Sequence, residues 1–158
     1  QIRNGSGHFQ HGFTYNANPV SCAAVAAVLG YIKRNNLIEN CRIRGEELGG
    51  LLAGLTDIPI VGEVRGMGLM RGVEIVADRK TKAPFPKKAG AAEVVASECV
   101  KRGLIVYPGT GMVGGSEGDN FLVAPPLIVT AGQVAEIAGI LRECLAAASG
   151  ILLGAKEK

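Results

Sequence analysis

Residues 8–19, "HFQHGFTYNANP", place two histidines, three aromatic side chains and a threonine directly before an almost unbroken apolar segment. His8 and His11 are three apart, a spacing that chelates a metal when it lies on a helix. Gly5, Gly7 and Gly12 surround them, and no neighbouring Cys, Asp or Glu completes a ligand set, so no metal site is expected. Thr14 offers a hydroxyl, and the backbone N–H groups around Phe13 and Thr14 can converge on one point. Fixed donors of that kind suit a phosphate, which presents several acceptor oxygens and negative charge. A plain loop ahead of a helix accounts for the same residues equally well, and spacing alone does not separate the two readings.

Two glycine-rich stretches invite a phosphate-binding reading and fail its structural demands. "GTGMVG", Gly109 to Gly114, matches G-x-G-x-x-G, but a dinucleotide site needs a helix to open directly after the glycines. "GSEGDNF" follows directly and reads as a turn and then a strand, so a loop is expected there. "GEVRGMGLMRG" lacks the Gly-Lys-Ser/Thr ending of a phosphate loop, and a tight turn between strands is sufficient for it. Ser6, Ser21, Ser97, Ser116 and Ser149 lie in no nucleophile-elbow context, which removes support for a hydrolase.

The elements that must hold these residues follow from periodicity. Asn18 is suited to cap a helix with Pro19 in its first turn, and Val20 to Ile32 is apolar enough to be buried nearly all round. A second helix over about 37–55 sets Leu37, Cys41, Leu48, Leu51, Leu52 and Leu55 on one stripe, although its glycines weaken it. "PIVGEVRGMGLMRGVEIV" predicts two strands meeting near Gly66-Met67-Gly68, and "DRKTKAPFPKK" a loop. A helix over 89–102 closes at Gly103, "GLIVY" is a short strand ended by Pro108, and "NFLVAPP" is another ended by Pro125. Thr130 and Gln133 form a capping box for a last helix in which Val134, Ile137, Ala138, Leu141 and Leu145 repeat at helical spacing. The expected architecture is two helices, then a small mixed sheet crossed by one helix and finished by another.

Bulk properties narrow the function classes. The 158 residues are 47% hydrophobic, which excludes a disordered chain, and the net charge of +3 is spread over scattered short basic pairs, so no nucleic-acid partner is expected. No uninterrupted apolar run approaches the ~18 residues of a membrane span, and no signal-peptide pattern opens the chain. Cys22, Cys41, Cys99 and Cys144 each fall in an expected helix as reduced, buried thiols, which points to a cytoplasmic protein. The chain opens on Gln1 rather than Met, as a piece of a longer protein would.

Four stretches in order, "GSGHFQHGFTYNANPVSCAA", "RGMGLMRGVEIV", "GLIVYPGTG" and "GDNFLVAPPLIVT", resemble the C-terminal part of the class III (omega) aminotransferases. The resemblance spans about Gly5 to Ala147. It implies an α/β fold of the type I pyridoxal-phosphate transferases, with 1–36 ending the large cofactor-binding domain and 37–158 forming the small C-terminal domain. It also implies pyridoxal 5′-phosphate as cofactor and a homodimer with shared active sites. The threonine of the H-G-x-T-Y motif binds the cofactor phosphate of the neighbouring subunit, a role that falls on Thr14, with Phe13 supplying backbone. His11, Gly12, Tyr15 and Asn16 become loop-shaping or cofactor-facing residues. The Schiff-base lysine is expected upstream, because none of the eight lysines here (33, 80, 82, 87, 88, 101, 156, 158) sits in its context. Tyr107, Pro108 and Gly109 fall where many members bind substrate, but Tyr107 stands in place of an arginine that takes a carboxylate. A Y-P-x-x-G stretch of this kind is similar to omega-amino acid:pyruvate aminotransferases, which implies transfer of an amino group from an amine or omega-amino acid to a 2-oxo acid such as pyruvate. A non-catalytic α/β ligand-binding or regulatory domain, or an aminomutase on the same scaffold, fits these residues as well.

Overall fold

The computed structural model describes residues 4–5, 7–8 and 12–154. Ser6, His11, Lys156 and Lys158 lie outside the described residues. The chain divides into two compact units, one ending at Asn36 and the other beginning at Leu37.

The first unit holds a loop and one helix, α1 (Pro19–Arg34). Asn18 starts it as expected: its side-chain oxygen accepts from the N–H groups of Val20 at 3.1 Å and Ser21 at 3.2 Å, while Pro19 occupies the first turn. The expectation of all-round burial is not met. No residue of α1 is buried, and Val20, Val25, Val28 and Leu29 are all more than half exposed. Among the described residues this unit offers one helix and a loop, with no second apolar surface against which these side chains can pack.

The second unit is a two-layer α/β structure. Its helices are α2 (Leu37–Ala53), α3 (Ala91–Lys101) and α4 (Ala131–Gly154). Its strands are β1 (Val61–Met67), β2 (Met70–Ile75), β3 (Tyr107–Val113) and β4 (Glu117–Val123), in the order β1-β2-β4-β3. All three pairings are antiparallel, so the sheet is not the mixed one expected. Alternation gives it two unlike faces. Val73, Ile75, Phe121 and Val123 point into one core with Leu48 and Leu52 of α2, Val95 and Cys99 of α3, and Leu141, Cys144 and Leu145 of α4. The intervening residues, Arg65, Gly72, Glu74, Asn120 and Leu122, form the opposite face and are not buried.

Strand β3 departs most from the sequence reading. "GLIVY" is not a strand, and the strand starts at Tyr107, where it was expected to end. Pro108 cannot donate to a ladder, but β3 is an edge strand with a pairing partner on one side only, so a proline is tolerated. The "GTGMVG" stretch therefore lies along β3 and the turn to β4, with no helix following it. That geometry removes the dinucleotide reading. Leu51 of the expected α2 stripe is 45% exposed and Cys41 only half-buried; Gly45 takes the buried position between them.

Arg71 explains the "RGMGLMRG" glycines. Its guanidinium donates to the carbonyls of Gly66 at 2.7 Å, Gly68 at 3.0 Å and Gly45 of α2 at 2.6 Å. Three backbone acceptors thus tie the β1–β2 turn to a helix. The approach is so close that a Cβ on Gly45 would meet Gly68 Cα at 2.4 Å. Gly66 and Gly68 both have positive φ, a conformation that glycine adopts without steric cost.

Helix α4 is long and apolar enough to cross a membrane by length and composition, although Glu136, Arg142 and Glu143 interrupt its apolar run. Its apolar side chains include a stripe, Val134, Ala138, Leu141, Leu145, Ala148 and Leu152, buried within the second unit. The capping box forms as expected: Gln133 N–H donates to Thr130 Oγ1 at 3.3 Å, and Thr130 N–H to Gln133 Oε1 at 3.0 Å. The N-terminus of α3 has no local side-chain cap, and Asp119 of β4 accepts from Ala92 N–H there at 3.4 Å. Of the cysteines, Cys99 and Cys144 are buried and Cys22 is exposed, and all four are free thiols. Burial, with Cys144 beside it, pushes the Cys99 thiol up to about 12, so this thiol is a core residue and not a nucleophile.

Candidate functional site

The phosphate candidates lie on a tight turn in the first unit. Asn16 N–H donates to Phe13 C=O at 3.0 Å, which folds residues 13–16 back on themselves. Ala17 then takes a positive φ of 60°, and Asn18 caps α1. The turn holds Thr14 at the surface, four residues ahead of Asn18, and its hydroxyl and N–H have no hydrogen-bond partner among the described residues. Phe13 is 69% exposed beside it. A surface hydroxyl and N–H on one residue match the acceptor oxygens of a phosphate, and the helix N-terminus four residues on adds a weak favourable potential. The donor set therefore fits a cofactor phosphate. An open hollow of about 450 Å³ adjoins the turn, lined by Tyr15, Asn16, Asn18, Cys22, Val25 and Leu29 among others. Tyr15 and Asn16 line it, while Thr14 does not. His8 is exposed, and a Cβ at Gly12 would meet nothing within 4 Å.

The substrate candidates lie in the second unit, at the start of β3. Tyr107 pairs with Leu122, Pro108 with Phe121, and Gly109 with Asn120. Since Phe121 points into the core, Tyr107 and Gly109 share the face opposite the helices, and Pro108 takes the other side of the strand. The three residues are contiguous, but only two can line one site. Tyr107 is 75% exposed. Beside Gly109, the Asn120 side chain occupies the space a Cβ would need, with Oδ1 2.7 Å from that position. Sequence reading missed Asn120, whose signal is the glycine opposite it and is visible only once the register is known.

The remaining ionisable groups of the face are paired. Lys82 reaches Glu74 at 3.2 Å, and Arg65 reaches Glu63 at 3.4 Å. Away from it, Lys101 and Arg102 hold the Glu98 carboxyl below its ordinary range, at 2.6 and 2.7 Å. These two helical pairs fasten the end of α3 and carry no chemistry.

The class III aminotransferase family model matches residues 1–145. An uncharacterized aminotransferase of Bacillus subtilis, YodT, is 40% identical over 92% of this chain and 33% of its own length. A probable mitochondrial gamma-aminobutyrate transaminase of rice (Oryza sativa) is 37% identical over 83% of this chain and 24% of its own. The PMP-bound form of an aminotransferase from Vibrio fluvialis superposes with a TM-score of 0.76 at 29% identity, covering 92% of this chain and 30% of that one. The chain thus spans about a third or less of the proteins it matches. Sequence order, the α/β architecture and this similarity agree: the chain belongs to the class III aminotransferases, a pyridoxal-phosphate-dependent family with the type I transferase fold.

Proposed function

We propose that these residues form the C-terminal part of an aminotransferase that moves an amino group from an amine or omega-amino acid to a 2-oxo acid such as pyruvate. The observation that carries the reading is the Thr14 turn, with its unpartnered hydroxyl and N–H just ahead of the α1 N-terminus. When bound, pyridoxal phosphate supplies the carbonyl that accepts the amino group and the ring that delocalises the resulting electron pair. Thr14 and the Phe13 backbone hold its phosphate across the interface of a homodimer, so cofactor affinity and dimerisation are linked. Residues up to 36 then end the large domain, and 37–158 make the small one. The lysine that bonds the cofactor falls outside these 158 residues.

Tyr107 and Gly109 border the substrate on this reading. Tyr107 offers one neutral hydroxyl, which admits simple amines more readily than a guanidinium fork would. A relative named as a gamma-aminobutyrate transaminase supports a donor whose amino group lies at the end of the chain away from its carboxylate.

Thr14→Val in the full-length enzyme tests the proposal, because it keeps the β-branched shape and removes only the hydroxyl. A hydrogen bond to a charged acceptor contributes about 1.5–3 kcal/mol, so the cofactor Kd should rise roughly ten- to a hundred-fold in an absorbance titration. Wild-type affinity in a folded dimer defeats the assignment.

A further inference from the structure

We propose that Asn120 is a specificity-determining residue, whose side-chain amide acts beside the Tyr107 hydroxyl to bind a carboxylate carried by the amino donor or the 2-oxo acid. This rests on the reading that Tyr107 and Gly109 border the substrate. Strand β4 lies between β2 and β3, and Asn120 sits opposite Glu74 on one side and Gly109 on the other. Its amide leans over β3: a Cβ on Gly109 would lie 2.7 Å from Oδ1 and 3.5 Å from Nδ2. Any larger residue at 109 would expel the amide from that position. Glycine at the edge therefore makes room for an asparagine from the neighbouring strand.

Asn120 is half-buried as a residue, and its amide, still reached by solvent, makes no hydrogen bond among the described residues. Glu74, its charged neighbour across the β2–β4 pair, is engaged by Lys82 at 3.2 Å. An amide with no protein partner is available to a ligand, and a charged acceptor forms the stronger bond. Asn120 offers two N–H donors and Tyr107 one O–H. The two residues are diagonal neighbours on antiparallel strands, roughly 7–8 Å apart, a gap in which both side chains reach one small group. A carboxylate meets that donor set best, since it accepts from both. Two neutral donors bind it more weakly than a guanidinium and impose a smaller desolvation cost on a donor that has no carboxylate. The pair therefore suits an enzyme that takes carboxylated and plain amines alike.

The test is Asn120→Leu and Asn120→Asp in the full-length holoenzyme, with a short omega-amino acid compared against an alkylamine of equal chain length. Losing one donor to a charged group should lower the kcat/KM ratio of amino acid to alkylamine about ten-fold, mostly through KM. Asn120→Asp places a like charge in the gap and should lower it further. The inhibition constant of a straight-chain carboxylic acid without an amino group should rise in step, a readout independent of turnover. Tyr107→Phe, made in parallel, separates the two levels of the argument. If it shifts the ratio while both Asn120 variants leave ratio and inhibition constant unchanged, the Asn120 assignment is wrong and the substrate edge stands. If none of the three shifts either measure, the edge reading is wrong and the assignment falls with it. A proportional loss with both donors marks a structural role and also overturns the inference.

Discussion

Helices α1 and α4 are the most apolar segments of the chain, and their surroundings are opposite. Eight residues of α4 are buried, among them Leu141, Cys144 and Leu145 at no measurable exposure, whereas α1 buries none. Both carry small and aliphatic side chains in nearly continuous runs. What differs is the rest of the unit. α4 meets α2, α3 and a sheet whose inner face is apolar on alternate residues, and α1 is the only helix of its unit among the described residues. Apolar periodicity states that a helix requires cover. It does not state whether the residues nearby can supply it.

The largest expected effect separates the two helices directly. Leu141→Ala should destabilise the 158-residue chain by roughly 2–5 kcal/mol, because it leaves a cavity in a closed core. Leu29→Ala, at a residue 60% exposed, should cost about 0.5 kcal/mol or less. Urea midpoints of the two variants measure the contrast. Equal losses would mean that α1 is covered in solution and would break the comparison.

The same contrast governs what could be read from sequence. The Asn18 cap and the Thr130–Gln133 box were legible because each is made within four residues, by side chains that reach only their own backbone. The β1–β2 turn was legible from its glycines. Strand β3 was misplaced because Pro108 ends a strand in the interior of a sheet but not at its edge, and edge position is a property of the topology. Of the candidate site, Thr14 and Tyr107 were named through motif resemblance. Asn120 was not, since an asparagine in a strand has no local signature. Gly45 and Gly49 were read as weakening α2, while the structure uses both: the first to admit Gly68, the second to clear the Arg71 guanidinium at 2.8 Å.

A smaller effect, with opposite signs at two sites, sharpens that point. Alanine in place of glycine inside a helix ordinarily stabilises by about 0.8–1 kcal/mol. Gly50→Ala should show this gain, since nothing lies within 4 Å of the added Cβ. At Gly45 the same methyl would meet backbone at 2.4 Å, and backbone fixed by the Arg71 contacts has little freedom to move. Overpacking costs about 1–3 kcal/mol, which outweighs the propensity gain, so Gly45→Ala should be net destabilising. Thermal melts of the two variants should move in opposite directions. Parallel shifts would show that α2 does not touch the turn in solution.

The smallest expected effect is a pH dependence carried by two carboxylates of unlike setting. Burial raises the Asp119 pKa, opposed by the Ala92 N–H and reinforced by nearby Glu93; Lys101 and then Arg102 lower that of Glu98. For Asp119 the folded state holds its proton more tightly than the unfolded chain. Its contribution is fully present below the unfolded value of about 3.9 and is lost as pH rises through the folded value. Glu98 is the reverse. It contributes above an unfolded value of about 4.3 and loses that contribution as pH falls through its lower folded value. Subtracting the stability of Asp119→Asn from wild type across the acid range should therefore give a difference that falls with rising pH. The same subtraction for Glu98→Gln should give one that rises. Lys87, Lys88, Glu93 and Glu117 line the cavity beside Asp119, so both series should be measured at one moderate ionic strength. A rising Asp119 difference would mean that its charge on the α3 N-terminus outweighs its burial, and the remote carboxylate would then be a stabilising cap at neutral pH.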